Sequence, residues 1–118
     1  MKTLYVEVMT SAEALKRFSR AWNKAASGKR AEATVGLGSI AELMALLSPK
    51  RMELLRHVAQ NPGLSIRALA LALARDYKNV HTDVSDLEAR HLLERDGEGL
   101  LIAPYDELVI RASLREAA

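Results

Sequence analysis

Three times between residues 48 and 76 the sequence halts one helix and supplies the residues that start the next. Ser48-Pro49 puts a hydroxyl at an N-cap and a proline at the first helical position, where its missing N–H costs nothing. Asn61-Pro62-Gly63 ends that helix. Ser65 then caps another, with Leu64 placed to staple onto Leu69 across its first turn. After a break at 74–76, Asp76 caps a third. The punctuation predicts helices over about 49–60, 65–73 and 77–90. Their expected buried faces are Met52, Leu55, Val58 and Ala59, then Ile66, Leu69, Ala70 and Leu73, then Val80, Val84 and Leu87. A shorter helix with Ile40, Leu43, Met44 and Leu47 precedes them. A hairpin follows, Leu92-Leu93-Glu94-Arg95 and Leu100-Leu101-Ile102-Ala103, turned by Asp96-Gly97-Glu98-Gly99.

The flanking segments have a different period. In Leu4-Tyr5-Val6-Glu7-Val8, apolar residues alternate with Tyr5 and Glu7, which predicts a strand. From Ser11 to about Ser27, Leu15, Phe18, Trp22 and Ala25 form one apolar stripe, with Lys16, Arg17, Arg20 and Lys24 opposite and Ser27-Gly28-Lys29 as the stop. Thr34-Val35-Gly36-Leu37 completes a β-α-β unit too small to fold well alone. Residues 108–114 fit either a last strand, with Leu108, Ile110, Ala112 and Leu114 on one face, or a short helix; the strand is preferred because it gives the first two a sheet to join. The expected organisation is α+β, with an N-terminal extension over 1–38 for dimerisation or partner binding and a second domain over 39–118.

Composition narrows the class. A chain of 118 residues, 49% hydrophobic and 27% charged, is one folded domain's worth and argues against disorder. No 18 uncharged apolar residues run together, and Glu7 interrupts the N-terminus before any signal core, so neither a membrane partner nor export is expected and a cytoplasmic protein is the economical reading. Without cysteine there is no disulfide, thiol nucleophile or thiolate metal site. The formal net charge is only +2, but it is unevenly spread. Residues 1–38 hold seven basic and three acidic side chains, residues 49–82 six and two, and the acids collect after residue 82.

Helix, capped helix, tight break, helix and glycine-turned hairpin follow in the order of a winged helix-turn-helix module. In such a module the third helix gives one face to the core and leaves the other for a major groove. Here that free face offers Tyr77, Lys78, Asn79, His81, Thr82 and Ser85. Asn79 suits adenine, Lys78 and His81 can donate to guanine, and Thr82 can touch a thymine methyl. Arg67 and Arg75 flank the helix start and suit phosphates. The segments Arg75-Asp76-Tyr77-Lys78-Asn79-Val80-His81, Asp83-Val84, Leu87-Glu88 and Ala103-Pro104-Tyr105-Asp106-Glu107 resemble small prokaryotic winged-helix regulators of the MarR-like kind, some of which are antitoxins encoded beside toxin genes. The resemblance spans roughly residues 45–110. It implies DNA binding through the third helix, a homodimer and autoregulation of a small operon. Two positions depart from that pattern. His91 follows the third helix where glycine is common, at a cost of about 1 kcal/mol if left-handed, and Thr82 stands where a basic residue is expected.

Plainer readings stand beside these. His57 reads as packed or half-exposed, His91 as a helix end, and Glu94, Asp96 and Glu98 as a solvated turn. Trp22 and Phe18 read as core or interface, and the basic residues of 11–27 as a solvated face or a surface for an acidic partner. No HExxH spacing, nucleophile elbow or phosphate-cradling glycine loop is present, so no enzyme activity, metal or cofactor is expected. Two functions remain: a sequence-specific DNA-binding regulator, or an antitoxin-type module that neutralises a toxin partner with DNA binding secondary.

Overall fold

The helices that start at Pro49, Ile66 and Tyr77 begin at the caps their sequence supplies. In a computed structural model, which describes residues 1–9, 11–26 and 33–115, the elements run β1 (Thr3–Val8), α1 (Ser11–Ala26), β2 (Thr34–Leu37), α2 (Ile40–Leu46), α3 (Pro49–Gln60), α4 (Ile66–Leu73), α5 (Tyr77–Ala89), β3 (Glu94–Arg95), β4 (Leu101–Ile102) and β5 (Glu107–Ala112). The fold is α+β. The stop expected at Ser27-Gly28-Lys29 lies outside the described residues. None of the described helices is long and apolar enough to cross a membrane.

The contacts divide the chain into two units, Thr3–Met44 with Glu107–Ala118, and Met1–Lys2 with Ala45–Asp106. This differs from a boundary at residue 38, and the cause is strand pairing. β5 lies parallel to β1, with Leu4 opposite Leu108 and Val6 opposite Ile110, so the C-terminal strand belongs with the N-terminal elements.

That first unit is a three-stranded parallel sheet in the order β2-β1-β5. Register puts Leu4, Val6, Val8, Leu108, Ile110 and Ala112 on one face, as alternation predicts, while Leu114 falls beyond the strand. On the other face Arg111 reaches 3.7 Å from the Glu7 carboxylate and lies 5.4 Å from the centre of the Tyr5 ring. Leu4, Val6, Leu37 and Leu43 are buried. Of the expected stripe of α1, Leu15 is 67% and Trp22 69% exposed, and the side chains of Phe18 and Ala25 lie outside those described.

The second unit is built on α3, α4 and α5. Ser48, Ser65 and Asp76 accept from the backbone N–H groups of Arg51, Ala68 and Asn79 at 3.2, 3.1 and 3.2 Å. Val80, Val84 and Leu87 are wholly buried, as the spacing predicts. On α3 the inner face is Leu54, Leu55 and Val58, with Met52 half-buried and Ala59 exposed. The helix is thus turned from the expected setting, so that Arg51, Leu54, Leu55 and Val58 form the i, i+3, i+4, i+7 stripe. Both later helices end in a left-handed residue. Ala74 (φ 52°) donates to Leu71 while Arg75 N–H reaches back to the Ala70 carbonyl at 3.0 Å. His91 (φ 63°) donates to Glu88 while Leu92 N–H reaches Leu87 at 3.0 Å. These paired bonds satisfy carbonyls that a helix end leaves open, and at the second of them Leu87 and Leu92 are both buried. β3 and β4 form an antiparallel hairpin, and Gly63 and Leu64 bond to Leu101 beside it.

Candidate functional site

Burying Val80, Val84 and Leu87 fixes what α5 can offer on its other side. At about 100° per residue, Lys78, Thr82 and Ser85 point away from that stripe, and all three are exposed. Tyr77 and His81 form one flank, their rings 6.0 Å apart. The Arg67 guanidinium lies over the Tyr77 ring at 5.6 Å, so a residue of α4 joins the first turn of α5 in one cationic and aromatic array. The Thr82 hydroxyl donates to the Lys78 carbonyl at 3.1 Å, leaving lone pairs for a ligand while its proton is engaged. The surface offers the Lys78 ammonium, the His81 imidazole, the Arg67 guanidinium and the hydroxyls of Tyr77 and Ser85, with Thr82 Oγ1 as an acceptor.

Two of the expected residues stand apart. Asn79 is exposed, but it lies about 100° round the helix from Lys78, on the side of Asp83 and Asp86. Arg75 is committed elsewhere. Its Nη2 donates to Asp83 Oδ2 at 2.7 Å, and its side chain is only 16% exposed. Where its position in the sequence suggested a free cation, the structure pairs it with a carboxylate of α5. Arg67, Tyr77, Lys78, His81, Thr82 and Ser85 are brought to one surface; Arg75 lies beneath it.

Sequence reasoning missed the group that holds α5 in this orientation. Asp83 also accepts from Arg51 Nε at 3.0 Å, and Arg51 reaches Asp86 through Nη2 and the Ala45 carbonyl through Nη1. One carboxylate thus joins α3, the α4–α5 break and α5. Burial alone would raise the Asp83 carboxyl; hydrogen bonds from Arg75 and Arg51 outweigh it and hold the group below its usual range. Arg51 shows the converse: burial works against its charge, and Asp83 and Asp86 more than restore it. Part of the signal was present in the sequence, since Asp83 sits three residues after Val80 and four before Leu87; that Arg51 takes the stripe position on α3 was not, because the spacing set Met52 there.

The hairpin is fastened to the same helix. Arg95 donates to Glu88 Oε1 at 2.8 and 3.2 Å and to the Gly99 carbonyl at 3.1 Å. Asp96 accepts from the N–H groups of Glu98 and Leu100, so this acid is the turn's own acceptor. Among the described residues, no three His, Asp or Glu side chains converge as a metal ion requires.

These features define a small α+β protein that carries a donor-rich helical face on a braced three-helix scaffold. Residues 46–110 match the HVO_A0114 family, and because that match covers more than half of the sequence the chain belongs to this family. The matched region begins just before α3 and ends within β5. No curated protein and no solved structure matches the chain.

Proposed function

We propose that the chain is a sequence-specific DNA-binding regulator of the winged helix-turn-helix type, MarR-like in its general plan and acting in the cytoplasm. In this reading α4, the left-handed break at Ala74 and α5 are the helix-turn-helix, and the β3–β4 hairpin is the wing. The observation that carries it is the division of α5: an inner stripe with no exposure, and an outer one of Lys78, Thr82 and Ser85 flanked by Tyr77, His81 and Arg67. A helix so divided fits a major groove, where hydroxyl, ammonium and imidazole groups meet base edges and Arg67 meets phosphate. Glu94, Asp96 and Glu98 make the hairpin acidic, so the wing contributes little affinity. A homodimer would set two copies of α5 about 34 Å apart on a pseudo-palindromic operator upstream of its own gene.

The test is fluorescence anisotropy of the whole chain with its upstream DNA, with an unrelated duplex, and at two salt concentrations. Selective binding that falls steeply with salt is expected. Lys78→Ala should weaken binding to every sequence and reduce the salt slope by about one. Asn79→Ala tests the groove orientation: on the present geometry it changes preference less than His81→Ala does. Equal weak binding to both duplexes, or none, would overturn the reading.

A specific observation favours a second reading, a protein-interaction module of the antitoxin kind. Leu15 and Trp22, seven residues apart on one stripe of α1, are both about two-thirds exposed. An apolar stripe left open marks a protein contact, with a second copy of the chain or a toxin partner. Trp22 is the only tryptophan, so its emission reports that contact directly. A blue shift on raising the protein concentration assigns the stripe to self-association, and one seen only on adding a partner assigns it to that partner. An emission unchanged in both would set the reading aside.

A further inference from the structure

Arg67 and Leu71 stand one turn apart on α4, and Tyr77 lies across from them at the start of α5. Between the two helices is an open cleft of about 350 Å³ lined by Arg67, Ala70, Leu71, Arg75 and Tyr77. Its members differ in kind. Arg67 is exposed and stacked on the Tyr77 ring. Arg75 is held back by Asp83. Leu71 is 79% exposed, although Leu69 and Ala70 beside it are buried. A lone exposed leucine is ordinary on a protein surface. This one forms an aliphatic wall facing an aromatic ring, within a cationic surround and next to the outward face of α5.

We infer that this cleft reads thymine, with Leu71 and the Tyr77 ring receiving the C5 methyl group while Arg67 takes a neighbouring phosphate. The inference rests on the DNA-binding reading above. The chemistry of the walls selects the occupant. Uncompensated positive charge at Arg67 calls for an anion, and the Leu71–Tyr77 wall calls for an apolar group carried by the same molecule. Duplex DNA presents both along its major groove, where the thymine methyl is the one alkyl group among the base edges. The reading residue would then lie on α4, outside the helix whose face points to the groove.

The probe is a duplex selected by the full chain from a random-sequence pool, in which each thymine is replaced in turn by deoxyuridine. That replacement removes the methyl group and nothing else. At one thymine in each half-site it should weaken binding about 4-fold, the worth of burying one methyl group. Leu71→Ala truncates a side chain outside the core, so the variant should keep its helical circular dichroism and bind the thymine and uracil duplexes alike. If Leu71→Ala remains as sensitive to the replacement as the wild type, the cleft reads no methyl. The same holds if no thymine matters to the wild type while the duplex is still bound in a salt-dependent way. Either result overturns the inference and leaves the DNA-binding reading intact. If the pool yields no enriched duplex at all, both fall together.

Discussion

Replacing Asp83 by alanine should unfasten α5 from α3. The carboxylate accepts from Arg51 at 3.0 Å and from Arg75 at 2.7 Å, and the three side chains are 14–16% exposed. Removing it leaves two guanidiniums facing each other with little access to water. Arg51 keeps Asp86 and the Ala45 carbonyl, whereas Arg75 loses its carboxylate partner, and its Nη1 is already buried without a hydrogen bond. Breaking a fully buried pair costs about 3–5 kcal/mol; with residual exposure here, about 2–3 kcal/mol is expected. For a chain of this size that is a fall in melting temperature of the order of 10 °C, read by circular dichroism at 222 nm. Arg75→Ala in the Asp83→Ala background should recover part of the loss, with a coupling of about 1 kcal/mol. The sign of the pH dependence follows from the same contacts. Because the folded Asp83 carboxyl lies below its unfolded value, its contribution is full above about pH 5 and fades as pH falls below about 4. The gap between wild type and Asp83→Asn should therefore be constant near neutrality and close in acid. A melting temperature for Asp83→Ala within about 2 °C of wild type, less than roughly 0.5 kcal/mol, would refute the bracing role.

Two further expectations concern stability. Ala74→Gly and His91→Gly each relieve a left-handed side-chain residue at a helix end, at φ 52° and 63°, and should each raise stability by about 0.5–1 kcal/mol in thermal melts, the relief being partly offset by the freer unfolded chain. Leu15→Ala and Trp22→Ala remove large apolar side chains yet should change the melting of the dilute chain by less than about 0.5 kcal/mol each, since neither is covered; a loss of 2 kcal/mol or more from either would mean that the stripe is packed within the chain.

Much of this fold was legible because its instructions are local. Ser48, Ser65 and Asp76 act within three residues of themselves, and the wholly buried stripe of α5 follows from spacing alone. Strand β5 was readable from its alternation, and its preferred assignment from the need of two short strands for a third. The candidate site was legible in part. Tyr77, Lys78, His81, Thr82 and Ser85 share a surface because one helix carries them, and Arg67 joins them through the turn at Ala74. The ion pair of Arg75 was not legible, because its charge was read without its partner, eight residues on.

What the sequence determined by itself, then, is where helices begin and end, which period each segment follows, and hence which side chains α5 must bury. These depend on caps, turns and spacing over a few residues. Only the tertiary structure decided that β5 pairs with β1 across a hundred residues, that α3 turns Arg51 toward Asp83, and that Leu15 and Trp22 stay uncovered. The reason is physical. Strand partnership and helix rotation are set by which distant surfaces exclude water together and which buried charges find an opposite, and neither is a property of any one segment.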